Sequence, residues 1–105
     1  MSLNLESIAS KEIMPGYHGK MVHAETMSIA YWTVDKNAEV PEHSHMHEQV
    51  MHVLEGTFEF TLDGKTNIYN AGDIVIIGSN KKHSGKALTP CKLMDVFCPV
   101  REEYK

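Results

Sequence analysis

Short runs of β-forming residues alternate with turn signals along most of the chain, and this pattern restricts the possible folds more than any other feature. Turn signals recur about every 8–12 residues, which is typical of all-β sandwiches and barrels. No segment has the length and periodicity of a long amphipathic helix. The pattern predicts strands at residues 27–34, 39–45, 49–55, 57–62, 65–69, 74–77, 83–87 and 91–97.

Tight turns separate several of these strands. Asp63-Gly64 is a strong two-residue hairpin signal, because both central positions of such a turn require positive φ. Glu55-Gly56 and Ala71-Gly72-Asp73 mark two further turns. We expect residues 5–23 to form an N-terminal arm that contains Pro15-Gly16 and serves as an edge strand or strap. The prediction is a single domain over 1–105, with the arm at about 1–26, a barrel at about 27–99 and a tail at 100–105.

Composition excludes several functional classes. A chain of 105 residues is long enough for one domain that buries roughly two thirds of its unfolded surface. Ten basic and fourteen acidic residues give a net charge of −4 with no basic stripe, which argues against nucleic-acid and anionic-membrane partners. The first residues lack the features of a signal peptide, and no apolar run approaches the ~20 residues needed to span a bilayer.

The two cysteines are not placed to pair with each other. Cys91 and Cys98 fall in one predicted strand, where their separation is about 23 Å at ~3.3 Å per residue, too far for a disulfide. Their opposite parity also puts them on opposite faces of that strand. Reduced thiols and a cytoplasmic location are therefore expected.

The chain is unusually rich in histidine, with seven among its 105 residues. His43 and His45 are two residues apart, so in an extended segment both point to the same face. Gln49 shares their parity and can return beside them if the chain turns near Met46–Glu48. A third imidazole from His83, on a distant strand, would complete a set of N and O donors suited to one divalent transition metal.

The alternative is that these histidines are ordinary interior or surface residues, although four donors at this spacing make metal binding the stronger interpretation. His47 is either a further ligand or a residue of the turn at the barrel mouth. His52 is expected to face away from Gln49. His18 and His23 are expected to be solvated in the arm.

The segment from Pro41 through Gln49 to Gly56 resembles the first cupin motif, H-x-H-x3-E-x6-G. The segment from Gly72 to His83 is similar to the second, G-x5-P-x-G-x2-H. The resemblance implies a double-stranded β-helix, or jelly-roll barrel, and covers residues 41 to 87. Four positions depart from the cupin pattern, namely Gln49 for Glu, Gly78 for Pro, Asn80 for Gly and Ala87 for Asn.

The change from Glu to Gln at position 49 has a chemical consequence. Three neutral imidazoles and a neutral amide leave the full +2 charge on the metal, which favours a Lewis-acid role over redox chemistry. Such a set accepts Ni, Zn, Fe(II), Mn or Co. Glu48 cannot replace Gln49, because neighbouring residues on a strand face opposite ways.

A second cluster of chemistry-bearing residues lies near the C-terminus. Asp95 and Phe97 share the inward face of their predicted strand, and Arg101 follows at the rim. A carboxylate on an apolar face is costly unless it is paired or used. One interpretation is a site for a small acidic sugar, with Arg101 binding a carboxylate, Phe97 packing on the ring and Asp95 moving a proton. The other is a core Phe97 and a structural ion pair of Asp95 with a lysine or Arg101.

A narrower resemblance favours the first interpretation. The phrase His-Ser-His-x-His-Glu-Gln, the spacing of Asp95, Phe97, Pro99 and Arg101, and the arm motifs Pro15-Gly16 and 22–27 resemble the KdgF-type pectin-degradation cupins. In that family, residues matching His43, His45, Gln49 and His83 hold the metal. Residues matching Asp95, Phe97 and Arg101 are implicated in catalysis or substrate binding.

The resemblance implies an enzyme that converts 4,5-unsaturated uronate monosaccharides, released from pectin or alginate, to linear 4-deoxy-5-keto-hexuronates. Two alternatives remain open at this point: an Fe(II)-dependent dioxygenase and a non-catalytic sugar- or metal-binding module. Lys20 and His23 are possible further pocket residues. The expected partners are a small acidic sugar and a second copy of the chain, because small barrels with an edge-strand arm commonly form homodimers.

Overall fold

The computed structural model describes all 105 residues, which form ten strands in two antiparallel sheets. Short 3₁₀ turns lie at Leu5–Ser7 and Glu102–Tyr104. No helix combines the length and apolar character that crossing a bilayer requires. The strands are β1 (Lys11–Met14), β2 (Tyr17–His23), β3 (Ser28–Val34), β4 (Glu39–His43), β5 (Glu48–Glu55), β6 (Thr57–Leu62), β7 (Lys65–Asn70), β8 (Ile74–Ile77), β9 (His83–Ala87) and β10 (Cys91–Cys98).

The all-β prediction is confirmed. One sheet has six strands in the order β1-β2-β3-β10-β5-β8, and the other has four in the order β4-β9-β6-β7. Strands of the larger sheet alternate buried and more exposed residues, as expected when one face covers a core and the other meets solvent. The core holds Trp32, Phe58, Phe60 and Phe97 together with aliphatic residues from both sheets.

Most predicted strand ends agree with the structure within one residue, and 57–62, 74–77 and 83–87 agree in full. The prediction for 39–45 is wrong at its end, because β4 stops at His43 and the chain leaves the sheet before it bends at Met46 and His47. The arm forms a hairpin in which β1 is the edge strand and β2 pairs with β3.

Two turn predictions are explained by their backbone angles. Asp63 and Gly64 have φ of 50° and 80°, the positive values that a two-residue hairpin of this kind needs. Gly56 has φ of +89°, and a Cβ atom there would collide with the carbonyl oxygen of Pro90. A side chain at position 56 would therefore force the β5–β6 turn away from the β9–β10 connection.

Strand β4 contains an irregularity that matters for the site. Its register against β9 shifts between Val40 and His43, and both of these residues face the interior although they are three apart. A regular strand would place them on opposite faces. Pro41 lies within the irregular stretch. Because β4 is an edge strand, its free edge has no strand partner, and the missing N–H of a proline costs no sheet hydrogen bond there.

Two cross-strand rows of inward-facing residues contain the candidate functional residues of the larger sheet. The first, which we call the site row, consists of His23, Ser28, Phe97, Gln49 and Ile77. The next row consists of Met21, Ala30, Asp95, Met51 and Val75. Antiparallel pairing thus places Asp95 and Gln49 on adjacent strands one row apart.

The two free thiols should differ in reactivity. Cys91 is buried, and burial raises its pKa, whereas Cys98 is exposed on the opposite face of β10. Because the thiolate is the reactive species, an alkylating reagent at pH 8 should modify Cys98 and leave Cys91 largely intact. Mass spectrometry of the native protein should show one adduct, and Cys98→Ser should show none. Two adducts forming at equal rates in the native protein would contradict this prediction, with the denatured protein as the control for full labelling.

Candidate metal centre and adjoining pocket

Three histidines converge at one end of the space between the sheets. Nitrogen atoms of His43, His45 and His83 all lie within 4.8 Å of one another. His43 ends β4 and pairs directly with His83 at the start of β9, with ring centroids 4.2 Å apart. The ring of His45, in the loop after β4, lies 5.0 Å from that of His83. The structure therefore brings together the three histidines that the sequence predicted as ligands.

Each ring is oriented by its own main chain. The Nδ1 atom of each histidine lies at hydrogen-bonding distance from a carbonyl oxygen two residues away, and because a carbonyl only accepts, Nδ1 carries the proton. This leaves an unprotonated Nε2 on every ring, as is usual for histidines that bind metals. The three pairs are His43 with Pro41 (2.9 Å), His45 with His47 (3.2 Å) and His83 with Lys81 (2.8 Å).

The residues fit a bound cation. Nε2 of His83 is buried without a hydrogen-bond partner. Oε1 of Gln49 lies 3.1 Å from Nε2 of His45, so two lone-pair atoms face each other. The neighbouring Gln49 amide acts to lower the pKa of Asp95, which is consistent with an N–H on the carboxylate side and an oxygen on the side of the histidines. Facing acceptors repel unless a positive charge lies among them, and three imidazoles with an amide oxygen can hold a divalent metal.

Burial keeps two of the imidazoles neutral. Burial, together with the positive charge of Arg101, lowers the pKa of His45 to about 4. Burial also lowers the pKa of His83, although its hydrogen bond to Lys81 acts in the opposite direction. Near pH 7 both rings are therefore unprotonated, which is the form that binds a metal.

Asp95 is buried beside this cluster and is not part of an ion pair. Its Oδ2 accepts a 3.0 Å hydrogen bond from Nε1 of Trp32, whereas Oδ1 is buried without a partner. Burial raises the pKa of Asp95 to about 6, while Gln49, Trp32 and Arg101 act to lower it. The alternative of a structural ion pair with a lysine or Arg101 is wrong, because the one charge partner of Arg101 is Glu103.

Arg101 lies over two aromatic rings at the rim. Its Cζ is 4.7 Å from the ring centre of Tyr104 and 5.3 Å from that of Phe97. Nη1 of Arg101 is 3.1 Å from Oε2 of Glu103, and its Nε is buried without a partner. A guanidinium that packs against two rings and has one N–H still free is arranged to bind an anion.

The cluster, Asp95 and Arg101 share an open cavity of about 50 Å³. Aromatic and apolar side chains, including Trp32, Phe60, Phe97 and Tyr104, form much of its wall. Four of its lining residues have buried polar atoms without partners: Tyr17 Oη, His83 Nε2, Asp95 Oδ1 and Arg101 Nε. Such a cavity suits a small polar ligand that carries a negative charge.

Among the cavity residues that were not predicted from the sequence are three aromatic residues that carry polar groups, namely Tyr17, Trp32 and Tyr104. The inward parity of Trp32 on its strand was a usable signal, since a buried indole N–H needs an acceptor. Tyr104 had no such signal, because it reaches the site through the path of the tail. Its ring packs edge-on against those of Trp32 and Phe97, with centroids 5.7 and 5.8 Å apart.

The remaining histidines and Lys20 lie outside the cluster. His47 is buried in the bend after β4, and its Nε2 hydrogen-bonds the carbonyl of Val100. The expectation that His23 is solvated is wrong, because both of its ring nitrogens have protein partners. Lys20 donates to the carbonyl of Leu5. His18 is partly exposed beside Asp35, and His52 lies on the outer face of β5.

A family model for the cupin domain matches residues 30–97. The chain therefore belongs to the cupin family, as the two motifs predicted.

Among curated proteins, the chain is similar to the pectin degradation protein KdgF of Dickeya dadantii (strain 3937), at 31% identity over 64 residues. That match covers 59% of this chain and 58% of the relative, so it spans less than two thirds of either. Among solved structures, an RmlC-like cupin from Shewanella frigidimarina NCIMB 400 superimposes with a TM-score of 0.91 at 30% identity, covering 95% and 91% of the two chains. KdgF from Halomonas sp. superimposes with a TM-score of 0.90 at 25% identity, covering 95% and 94%.

Removal of one candidate ligand should abolish tight metal binding. His83→Ala deletes the imidazole whose Nε2 is buried and unpartnered, and we expect the affinity for Ni(II) or Co(II) to fall by roughly 100-fold or more. Calorimetric titration of chelator-treated protein measures this affinity. His18→Ala, which removes a histidine outside the cluster, is the matched control and should bind like the wild type. Unchanged affinity in His83→Ala would exclude this cluster as the metal centre.

Proposed function

We propose that this cupin catalyses the metal-dependent conversion of 4,5-unsaturated uronate monosaccharides, from pectin or alginate breakdown, to linear 4-deoxy-5-keto-hexuronates. The observation that carries the proposal is Asp95, a buried carboxyl with one free oxygen that lines the same cavity as the three-histidine cluster and Arg101, whose Nε is unpaired. The similarity to two KdgF proteins supports the choice of substrate class.

The reaction is an isomerisation that needs proton transfer and charge stabilisation. The substrate is a cyclic hemiacetal whose ring oxygen O5 is bonded to C5 of the C4=C5 double bond. Loss of the C1 hydroxyl proton and cleavage of the C1–O5 bond give an aldehyde and an enolate next to the C6 carboxylate. Protonation at C4 then converts the enolate to the 5-ketone, so no atoms are gained or lost overall.

The side chains of the pocket match these steps. Asp95 takes the proton from the C1 hydroxyl and returns one to C4, because it lines the cavity, its Oδ1 has no protein partner and Trp32 fixes its other oxygen. Arg101 binds the C6 carboxylate through its free Nε, and Phe97 packs against the face of the sugar ring. The apolar wall excludes water and strengthens these charged contacts.

We propose His43, His45, Gln49 and His83 as the ligands of one divalent transition metal, with Ni, Zn, Fe(II), Mn and Co all compatible with the donor set. When bound, such a metal supplies Lewis-acid stabilisation of negative charge on substrate oxygen. All four ligands are neutral, which leaves this +2 charge undiminished.

The test follows the ultraviolet absorbance of the conjugated double bond in an unsaturated galacturonate monomer, and separately in its alginate-derived counterpart. We expect metal-loaded protein to accelerate the decay well beyond the spontaneous rate, and chelated protein not to. Asp95→Asn should lower kcat by roughly 100-fold or more while its metal content is unchanged, because an amide cannot transfer the proton. Asp35→Asn, an exposed change outside the pocket, should keep full activity.

Full activity in Asp95→Asn would exclude it as the acid/base. No acceleration with either monomer would exclude the proposed reaction. Oxygen consumption with an aromatic or enol substrate would then support the dioxygenase alternative. Tight sugar binding without turnover would support a binding module.

We also propose that the chain forms a homodimer through the outer face of the larger sheet. One cross-strand row of this face, Ile76, Val50, Val96 and Ile29, is apolar across four adjacent strands. Ile74 and Ile76 on the edge strand β8 are 60% and 68% exposed. An exposed apolar row of this kind suits pairing with the identical row of a second copy.

Light scattering after size exclusion tests this assembly. The wild type should elute as a dimer, and Ile76→Lys should shift it toward the monomer because the new charges would be buried opposite each other. Ile68→Lys, which alters an exposed isoleucine of the other sheet, is the matched control. A monomeric wild type would exclude the dimer. The two free cysteines fit a reducing, cytoplasmic location, which stays a prediction.

A further inference from the structure

The tail that follows β10 has little structure of its own. It leaves the sheet after Cys98, and its internal backbone hydrogen bonds belong to the single 3₁₀ turn at Glu102–Tyr104. Nevertheless Arg101 is only 8% exposed and the ring of Tyr104 forms part of the cavity wall. A terminal segment of this kind stays ordered only when other parts of the fold bind it.

A chain of three hydrogen bonds supplies this binding. Ser28 Oγ, which is buried, accepts a 2.8 Å hydrogen bond from the backbone N–H of Arg101. The same hydroxyl lies 2.7 Å from Nδ1 of His23, and Nε2 of His23 lies 3.2 Å from the carbonyl oxygen of Tyr104. Because that carbonyl only accepts, the ring proton is on Nε2, and Nδ1 accepts the hydrogen of Ser28.

We propose that His23 and Ser28 are positioning residues that hold the tail over the cavity mouth and thereby fix Arg101 against the substrate carboxylate. They bind the tail at two points: the amide of Arg101, just before the 3₁₀ turn, and the carbonyl of Tyr104, the last residue of that turn. The role assigned to Arg101 rests on the proposed function, whereas the binding of the tail does not.

The sheet register explains why these two residues can act on the site. His23 and Ser28 are neighbours of Phe97 in the site row, on β2 and β3. The Arg101 guanidinium packs against both Phe97 and Tyr104, whose rings contact each other edge-on. The hydrogen bonds of His23 and Ser28 to the tail therefore set the position of Tyr104 and Arg101 relative to Phe97.

His47 provides a third attachment, through Nε2 to the carbonyl of Val100 at 3.1 Å. The main-chain carbonyl of His47 also orients the ring of His45. A change at this position would disturb the metal cluster together with the tail, so it cannot separate the two. The test therefore uses His23 and Ser28, which have no hydrogen bond to the cluster.

Two variants remove the attachment in different ways. Ser28→Ala deletes the shared hydroxyl, and His23→Phe keeps an aromatic ring of similar size without either nitrogen. His18→Phe is the matched control, because it lies on the same strand and faces the outer side. Metal content and circular dichroism of all three identify any variant that fails to fold.

The first readouts need no substrate. Hydrogen exchange of residues 99–105 should be at least tenfold faster in both variants than in the wild type and the control. Trp32 is the only tryptophan of the chain and packs against Tyr104, so release of the tail should shift its fluorescence emission to longer wavelength. Unchanged exchange and emission in two folded variants would overturn the proposal.

The kinetic readout separates positioning from general stability. If Arg101 contacts the carboxylate equally in the bound and transition states, its displacement should raise KM about tenfold and leave kcat within twofold. A lower kcat with unchanged KM would overturn the positioning role. Wild-type protein without activity on unsaturated uronates would instead refute the proposed function, and the attachment of the tail would still be decided by exchange and fluorescence.

Discussion

The candidate site depends on the hydrogen bonds that join each imidazole Nδ1 to a main-chain carbonyl two residues away. These bonds fix the tautomer and direction of the three rings, so the unprotonated nitrogens meet without any help from another side chain. The carbonyls belong to the irregular end of β4, the following bend and the approach to β9. The course of the backbone at one rim of the fold therefore determines the geometry of the candidate metal centre.

The pocket next to this centre collects polar atoms that have no protein partner. Each such buried atom costs about 1–3 kcal/mol, so an occupant that satisfies several of them gains affinity from the relief. Close packing around Trp32 supports the position of Asp95 in this pocket. A Cβ at Gly19 would lie 2.7 Å from the Trp32 ring, so the absence of a side chain there lets the indole lie where its N–H reaches Asp95.

Local sequence signals predicted most of the strands and the histidine cluster, because alternation, turn residues and motif spacing act over a few neighbours. Strand periodicity did not predict the position of His45, which lies beyond the end of β4, although the motif spacing placed it in the cluster that the structure brings together. The partners of Asp95 and His23 were not predictable in this way. Trp32 lies 63 residues from Asp95 along the chain, and Tyr104 lies 81 residues from His23 on a tail whose path is set by packing, so neither contact leaves a periodic trace.

The position of β10 also has consequences for how the molecule folds. This strand comes last of the ten along the chain, yet it lies between β3 and β5 at the centre of the larger sheet. The sheet cannot close until residues 91–98 enter, and such long-range pairing belongs to the slower range of about milliseconds to seconds for small domains. Since Asp95 and Phe97 arrive with that strand, the pocket is completed in the same event that closes the sheet, and an intermediate without β10 would have neither.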